Sequence, residues 1–368
     1  MKRQSDDTKS VPSDKLYSKL IGRKILIFFA CLVVLTISVV VACSLGAGVY
    51  RPVDDVFRAI IQRVFPFLGI RASGFTYRVV WILTLRSTLM AIVAGAGLAG
   101  CGVMMQGVLR NPLVSPFTVG VSSGATLGAS IAIILGFSFL GSGRYAIIAN
   151  AFVFAMIASF VIIGIGRMRG VTPESFILVG IALMYFFSAF TSFLQLIAQE
   201  GELMAVVHWM FGSVSVEWDH VLLALAITLA CFPLFMKYSW DLNAMAVGGD
   251  EVATSLGVNP AKVRVMSMML VALVTASITC FTGIIGFVGL VAPHIARLII
   301  GGDHRFLLPC SCVLGAMIVV AAYTIGNSIG PFLIGNSALV IPVGTVMSFI
   351  GGPFFLFLLL TKKRRYWR

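Results

Sequence analysis

Charge is what this sequence has least of. Only 11% of its 368 residues are Asp, Glu, Lys or Arg, where a soluble globular chain carries about a quarter. The apolar runs hold almost no ionisable residue near their centres, and Tyr145–Ile165, Ser175–Ala198 and Val340–Leu360 hold none. A soluble domain is excluded. An ion-coupled secondary transporter working without an ATPase, the alternative reading, needs an intramembrane Asp, Glu, His or Arg for its driving ion, and no mid-span acid is visible. Histidine is equally sparse. His208, His220, His294 and His304 read as residues near span ends, not as the paired axial ligands a haem would want. No G-x-x-x-x-G-K-[ST] phosphate loop occurs, since the run GVSSGATLG lacks a lysine. No catalytic residue is expected, and energy for any driven process has to come from another subunit.

Cysteine offers no metal set. All seven cysteines lie in or beside apolar runs, and the Cys310/Cys312 pair has no His or carboxylate in the same turn. Buried thiols serving as small hydrophobes are expected, with no metal and no cofactor on this chain.

What the sequence has in quantity is apolar length. Hydrophobic residues make up 59% of it, and a membrane-spanning helix needs roughly 20 of them in a row. Candidate spans are Ile25–Val49, Val79–Val108, Phe117–Leu135, Tyr145–Ile165, Ser175–Ala198, Val221–Met236, Val263–Cys280, Ile284–Ile299, Leu307–Ile325 and Val340–Leu360. The class is therefore all-α, a polytopic membrane protein of about ten transmembrane helices in one domain, 25–361. A polar tail, 1–24, precedes it and a basic end, 362–368, follows it. The first run is longer than the apolar part of a signal peptide and reads as a retained helix.

The net charge of +13 is read by position. Lys and Arg crowd both ends, and excess basic residues beside a span mark the cytoplasmic side. Nucleic acid is not the expected partner; membrane lipid is. Both termini are expected in the cytoplasm, and basic residues after each even span agree: Arg110, Arg167 and Arg169, Lys237, Lys262 and Arg264, Arg297 and Arg305. Arg51, Arg58, Arg63, Arg71 and Arg78 run against this pattern. VDDVFRAIIQRVFPFLGI, from Val53, has amphipathic helical spacing and suits a helix lying on the outer membrane surface.

Two breaks stand out. At Arg110–Pro116, Asn111 precedes a proline and is pushed from helical geometry, while Pro112 cannot continue the hydrogen-bond ladder. In the loop 241–262, Gly248-Gly249 ends one segment, Asp250 sits near an N-cap, and a short helix over Glu251–Leu256 stops at Gly257 and Asn259-Pro260. Such a projecting helix fits a soluble partner's groove. Glycine clusters at Ala94–Gly102 and Thr282–Leu290 predict close packing of the second and eighth spans.

These blocks resemble one family. MMQGVLRNPLVSPFTVGVSSGA (Met104–Ala125), GGDEVATSLGV (Gly248–Val258), TGIIGFVGLVAPHIARLIIGGDHRFLLP (Thr282–Pro309), IPVGTVMSFIGGPFFLFLLL (Ile341–Leu360) and HWMFGSVS (His208–Ser215) are similar to the motifs of FecCD-type ABC importer permeases. That family takes up iron-siderophore complexes, haem and cobalamin. The resemblance implies a BtuC-like permease fold in the cytoplasmic (inner) membrane of a prokaryote. It implies a second permease copy, as homodimer or with a related chain, and a pathway between the two. It further implies two cytoplasmic ABC ATPases that bind ATP and Mg, an extracytoplasmic substrate-binding protein and a metal-chelate substrate. By the same resemblance Asp250, Glu251, Ser255, Leu256 and Gly257 meet the ATPase. Gln106, Asn111, Pro112, Ser122, Ser123 and Gly124 belong to the pathway. Pro293, His294 and Arg297 form a cytoplasmic gate or its support.

The sequence departs from the family where the binding protein docks. Thr84-Leu85-Arg86-Ser87 replaces Arg-Leu-Pro-Arg, Asn327 stands in place of an arginine, Val340 in place of a glutamate, and the link Ser328–Ala338 is long. The external basic segment is the expected substitute, with Arg58, Arg63, Arg71 and Arg86 as docking residues.

Overall fold

The computed structural model describes residues 13–46, 50–166, 173–329 and 339–362, and among these the only regular structure is helix. Lys2, Arg3, Lys9, Arg167, Arg169, Lys363, Arg364, Arg365, Arg368 and most of the Ser328–Ala338 link lie outside the described residues. The helices are α1 (Ser13–Leu45), α2 (Val53–Val64), α3 (Gly74–Val79), α4 (Leu85–Val108), α5 (Val121–Ile134), α6 (Arg144–Gly166), α7 (Pro173–Ile197), α8 (Glu200–Met210), α9 (Trp218–Ser255), α10 (Pro260–Thr282), α11 (Val288–Ile300), α12 (His304–Ile329) and α13 (Val343–Lys362). A π-turn at Val80–Thr84 splices α3 to α4 into one rod. Among the described residues, seven helical segments are long and apolar enough to cross a membrane, and shorter apolar helices at α5, α11 and α13 bring the number to the ten spans expected.

The rod of α4 is the centre of the bundle. Nearly every residue from Ser87 to Val108 is buried, with α9, α10, α11 and α12 packed around it. Lipid tails are as apolar as leucine, so helices associate through van der Waals contact, which small residues improve by letting backbones approach. The expected contact between the second and eighth spans is present: a Cβ on Gly102 of α4 would overlap the Gly289 carbonyl of α11. Gly95 and Gly315 bring α4 against α12 in the same way.

The basic segment after α1 forms the expected amphipathic helix. In α2, Val56 and Ala59 are buried while Asp54 and Arg58 are exposed. Asp55 accepts hydrogen bonds from the Ser73 backbone N–H (3.0 Å) and hydroxyl (2.9 Å), which fixes α2 to the start of α3. Trp81 donates its indole N–H to the Ala59 carbonyl at 2.8 Å and carries the Arg63 guanidinium over its ring. Arg51 is not an external charge. It is 2% exposed and donates to the carbonyls of Cys43 and Gly46, capping the end of α1.

Several boundaries differ from expectation. Helix α1 begins inside the polar tail, at Ser13, and ends at Leu45, before the run does; lysine and arginine are good helix formers and extend the span. The third span opens with a 3-10 turn, Pro116–Val119, and a left-handed Gly120 before α5. The sixth span continues past Met236 through Asp241 and Met245, residues assigned to the loop 241–262, because nothing breaks α9 between Met236 and Gly248. Thr282 ends α10, residues 283–287 are irregular, and α11 starts only at Val288. Helix α8 was not anticipated; it opens on a capping box in which Gln199 and Glu202 satisfy each other's backbone N–H groups.

Replacing Gly102 by valine forces α4 away from α11 and is expected to lower the unfolding midpoint of the detergent-purified protein by an overpacking cost of about 1–3 kcal/mol or more. Gly22→Ala, where a Cβ meets nothing within 4 Å, is the control and should leave the midpoint unchanged in the same thermal melts.

Candidate coupling and translocation surfaces

One end of the bundle carries Arg110, Asp250, Arg264, Arg297 and Asp303; the other carries α2. At the first end, α9 runs to Val247 and then breaks. Gly248 (φ −151°, ψ 19°) and Gly249 (φ 78°, ψ −162°) leave helical geometry, and the chain resumes a helical turn through Ser255. The left-handed φ of Gly249 suits a residue without a Cβ, and a Cβ there would also run into the Arg110 guanidinium. Gly257 (φ 85°) reverses the chain, and Asn259 caps α10 by accepting from the Lys262 N–H at 3.0 Å. Pro260 occupies the first turn, where a missing N–H costs nothing.

The turn 250–257 is therefore a rigid knob. Ala253 is buried beneath it, while Glu251, Ser255, Leu256 and Gly257 are exposed, Leu256 by 64%. Asp250 behaves differently from its neighbours. Its side chain is 42% exposed, and its carboxylate accepts from the nearly buried Arg264 at 2.7 Å. That hydrogen bond holds the carboxyl below the usual carboxylate range. Asp250 stands next to the break, as expected, the non-helical residues being the two glycines before it.

The Arg-Asn-Pro corner sits beside this knob. Asn111 N–H bonds to the Gln106 carbonyl and Arg110 N–H to the Gly107 carbonyl, the two bonds of a Schellman ending. The residue in the left-handed position is Arg110, at φ 47°, where glycine is usual. Asn111 accepts from the Leu113 N–H at 3.0 Å, so the break expected at Asn111-Pro112 is realised as a turn closed by its own side chain.

The second surface is a cavity of about 420 Å³ lined by Ser115, Phe117, Thr118, Ser122, Met184, Met210, Phe211, Ile284, Gly286, Phe287, Leu290, Gly344, Thr345 and Ser348. Three backbone breaks meet at its wall. Ser213 N–H bonds to the Thr282 carbonyl at 2.6 Å and Gly344 N–H to the Gly212 carbonyl at 3.2 Å. Gly212, Gly283 and Phe287 all have left-handed φ values. In hydrocarbon, irregular backbone is tolerated where it is buried in protein or lines a cavity, and here the breaks satisfy one another across three elements. The blocks HWMFGSVS, TGIIGFVGL and IPVGTVMS, far apart in the chain, converge at this wall.

Of the pathway candidates only Ser122 lines this cavity. Gln106 is buried and joins α4 to α11, donating to the Gly289 carbonyl at 3.4 Å and accepting from Arg297 at 3.1 Å. Ser123 donates to the Gly120 carbonyl at 3.0 Å. Gly124 packs against the Phe154 backbone of α6. Asn111 and Pro112 belong to the corner. Pro293 and His294 are buried within α11, and His294 lies edge-on to Phe354. His294 is thus mid-helix and not near a span end, because α11 begins later than expected. Met210, Phe211, Phe287, Thr345 and Ser348 escaped the sequence reading. Their signal was the glycines interrupting three apolar runs.

At the opposite end, Arg86 is committed to Glu217 at 2.6 Å, and Arg144 reaches the same carboxylate at 3.2 Å. Arg58 pairs with Asp54 at 3.6 Å. All seven cysteines are free thiols, five of them buried.

Helices enclosing a cavity of broken backbone, with a rigid knob at one end, define a polytopic membrane transport permease. The FecCD transport family profile matches residues 32–361, and the chain belongs to that family. A Methanocaldococcus jannaschii protein named an ABC transporter permease is 38% identical over 361 residues, covering 95% of this chain and 98% of its own. The Fe(3+)-citrate import system permease protein YfmE of Bacillus subtilis is 36% identical over 278 residues, covering 75% and 80%. Among solved structures, a metal-chelate-type ABC transporter in an inward-facing conformation superposes with a TM-score of 0.77 at 28% identity, covering 91% of this chain and 99% of that one.

Near the knob, Asp303 accepts from Arg305 at 2.6 Å and from Asn243 at 2.7 Å, and these bonds, Arg305 first, pull its carboxyl down to about 2. A depressed carboxyl contributes stability that is full above its unfolded value, about 3.9, and is lost as pH falls toward the folded value. Asp303→Asn should therefore lower the melting temperature at pH 7, and its difference from the parent should shrink between pH 4 and 2 in pH-resolved melts.

Proposed function

We propose that this chain is the transmembrane permease subunit of an ATP-binding-cassette importer that carries an iron-siderophore, haem or cobalamin-type chelate across the cytoplasmic membrane of a prokaryote by ATP-driven alternating access. The observation that carries the reading is the exposed turn 250–257, held rigidly at the end of α9 with Leu256 and Glu251 outermost. An apolar side chain presented at the tip of a fixed turn is what a groove on a soluble partner can grip. The partner is a cytoplasmic ATPase, two per transporter, supplying ATP and Mg chemistry that this chain has no phosphate loop to support. The family membership and the named metal-chelate neighbours support the substrate class.

Two copies of the permease face each other across the cavity wall around Phe287 and Ser122, which becomes half of the pathway. The knob end lies in the cytoplasm, as the basic residues Arg110, Lys262, Arg264 and Arg297 favour, and the α2 end meets the binding protein. Alternating access is then a rigid-body movement of the bundle.

Leu256→Asp places a charge in the grip and is expected to abolish co-purification of the ATPase and to stop ATP-dependent uptake in vesicles, while leaving the permease folded by gel filtration. An ion-coupled carrier would transport normally with this substitution.

At the α2 end, Arg58 and Arg71 project while Arg63 also rests on Trp81. Neutralising Arg58, Arg63 and Arg71 together should weaken binding-protein-dependent uptake of radio-iron severalfold; undiminished uptake excludes α2 as the docking surface.

A further inference from the structure

Four helices, α9, α10, α11 and α12, tie into the last turn of α4. Gln106 holds Arg297 and the Gly289 carbonyl of α11. Gly107 leaves room for His304 of α12 and Leu242 of α9, both of which a Cβ would crowd. The Val108 carbonyl accepts from Nε of Arg264 in α10 at 3.4 Å, and the Nη2 group of the same guanidinium donates to Asp250 at 2.7 Å. Arg110 extends its guanidinium to Gly249 and contributes to the field that keeps Asp250 ionised.

Three details mark this as a built contact. Arg264 has a side chain only 12% exposed, so its pair with Asp250 is shielded from water on one side, and a charge-assisted bond there is stronger than an exposed one. Arg110 occupies a left-handed position at φ 47°, a conformation that disfavours residues other than glycine, and there its charge reaches the hinge. Gly249 lies beneath that guanidinium with a left-handed φ, where a Cβ would run into it.

We infer that Asp250, Arg264 and Arg110 form an ionic latch locking the knob to the last turn of α4, so that a displacement of the knob is delivered to the helix at the centre of the bundle. This rests on the reading of turn 250–257 as the ATPase grip, and it separates two roles within that turn. Leu256 and its exposed neighbours make the contact. Asp250, whose carboxylate is engaged by Arg264, is a positioning residue. From α4 the displacement reaches α11 through Gln106 and the Gly102–Gly289 contact, and α11 supplies Leu290 to the cavity wall.

The test uses the full permease reconstituted with its cognate ATPase in nanodiscs, with hydrogen exchange read on the amides of residues 105–112. Trapping the ATPase with ATP and vanadate is expected to change exchange there at least severalfold in the parent. In Arg264→Gln the ATPase should remain bound and hydrolyse ATP within about twofold of the parent, while the exchange response at 105–112 is lost. Arg264→Lys, which keeps the charge on Asp250, should restore part of that response; a purely structural defect would not be mended by it. Arg110→Gln is the second variant should Arg264→Gln fail to fold, with the same loss expected. A full response in the folded glutamine variant, or no response in the parent, overturns the latch. Leu256→Asp separates the underlying reading: if the ATPase still binds this variant, the grip is elsewhere, whatever the arginine variants show.

Discussion

Hydrocarbon offers no water to a backbone amide, and the architecture of this protein follows from that constraint. Every interruption of a helix has to find its hydrogen bonds inside the protein. The chain interrupts its helices repeatedly between its apolar spans, at Gly212, at residues 283–287 and before Gly344, and places the breaks against one another. The result is an irregular wall shared by three elements, with a cavity in front of it. Continuous helices would have presented only side chains there. Opening the backbone brings glycines and small polar side chains such as Ser122, Thr345 and Ser348 to the lining, a surface of modest polarity.

Around that wall the bundle is stiff. Gly95 and Gly102 let α4 touch two helices nearly backbone to backbone, so there is little side-chain cushion to absorb a shift. Closely packed interiors transmit displacement because they are poorly compressible. The knob at 250–257 is stiff as well, with Thr254 and Ser255 returning their hydroxyls to the carbonyls of Asp250 and Glu251 at 2.7 and 3.0 Å. A firm knob on a firm helix can convert a push from outside the membrane into movement within it, and the ionic contacts of Asp250 lie where the two join.

The ten spans, the amphipathic α2, the breaks at Arg110–Pro116 and Gly248–Gly249, and the meeting of α4 with α11 were all legible in the chain. Each rests on a local rule: apolar length, a helical period, the geometry imposed by proline and glycine, or the size of small residues. Of the candidate site, the motifs named the segments and not the surroundings of each residue: Leu256 and Glu251 are exposed and Ser122 lines the cavity, while Gln106 bonds to Arg297, Ser123 to Gly120, Gly124 packs on α6, Arg86 pairs with Glu217 and Asp250 with Arg264. Motif membership does not say which way a side chain points, since a helix turns each successive residue by about 100°.

By itself, the sequence determined that this is a membrane bundle of about ten spans that carries the motifs of one permease family, because hydrophobic length and motifs are properties of the chain read in order. Only the tertiary structure decided which of its breaks share a wall and which of its few charges are paired. Residues 213 and 282, or 110, 250 and 264, are brought together by packing between helices, and nothing in the local spacing of either partner carries that information.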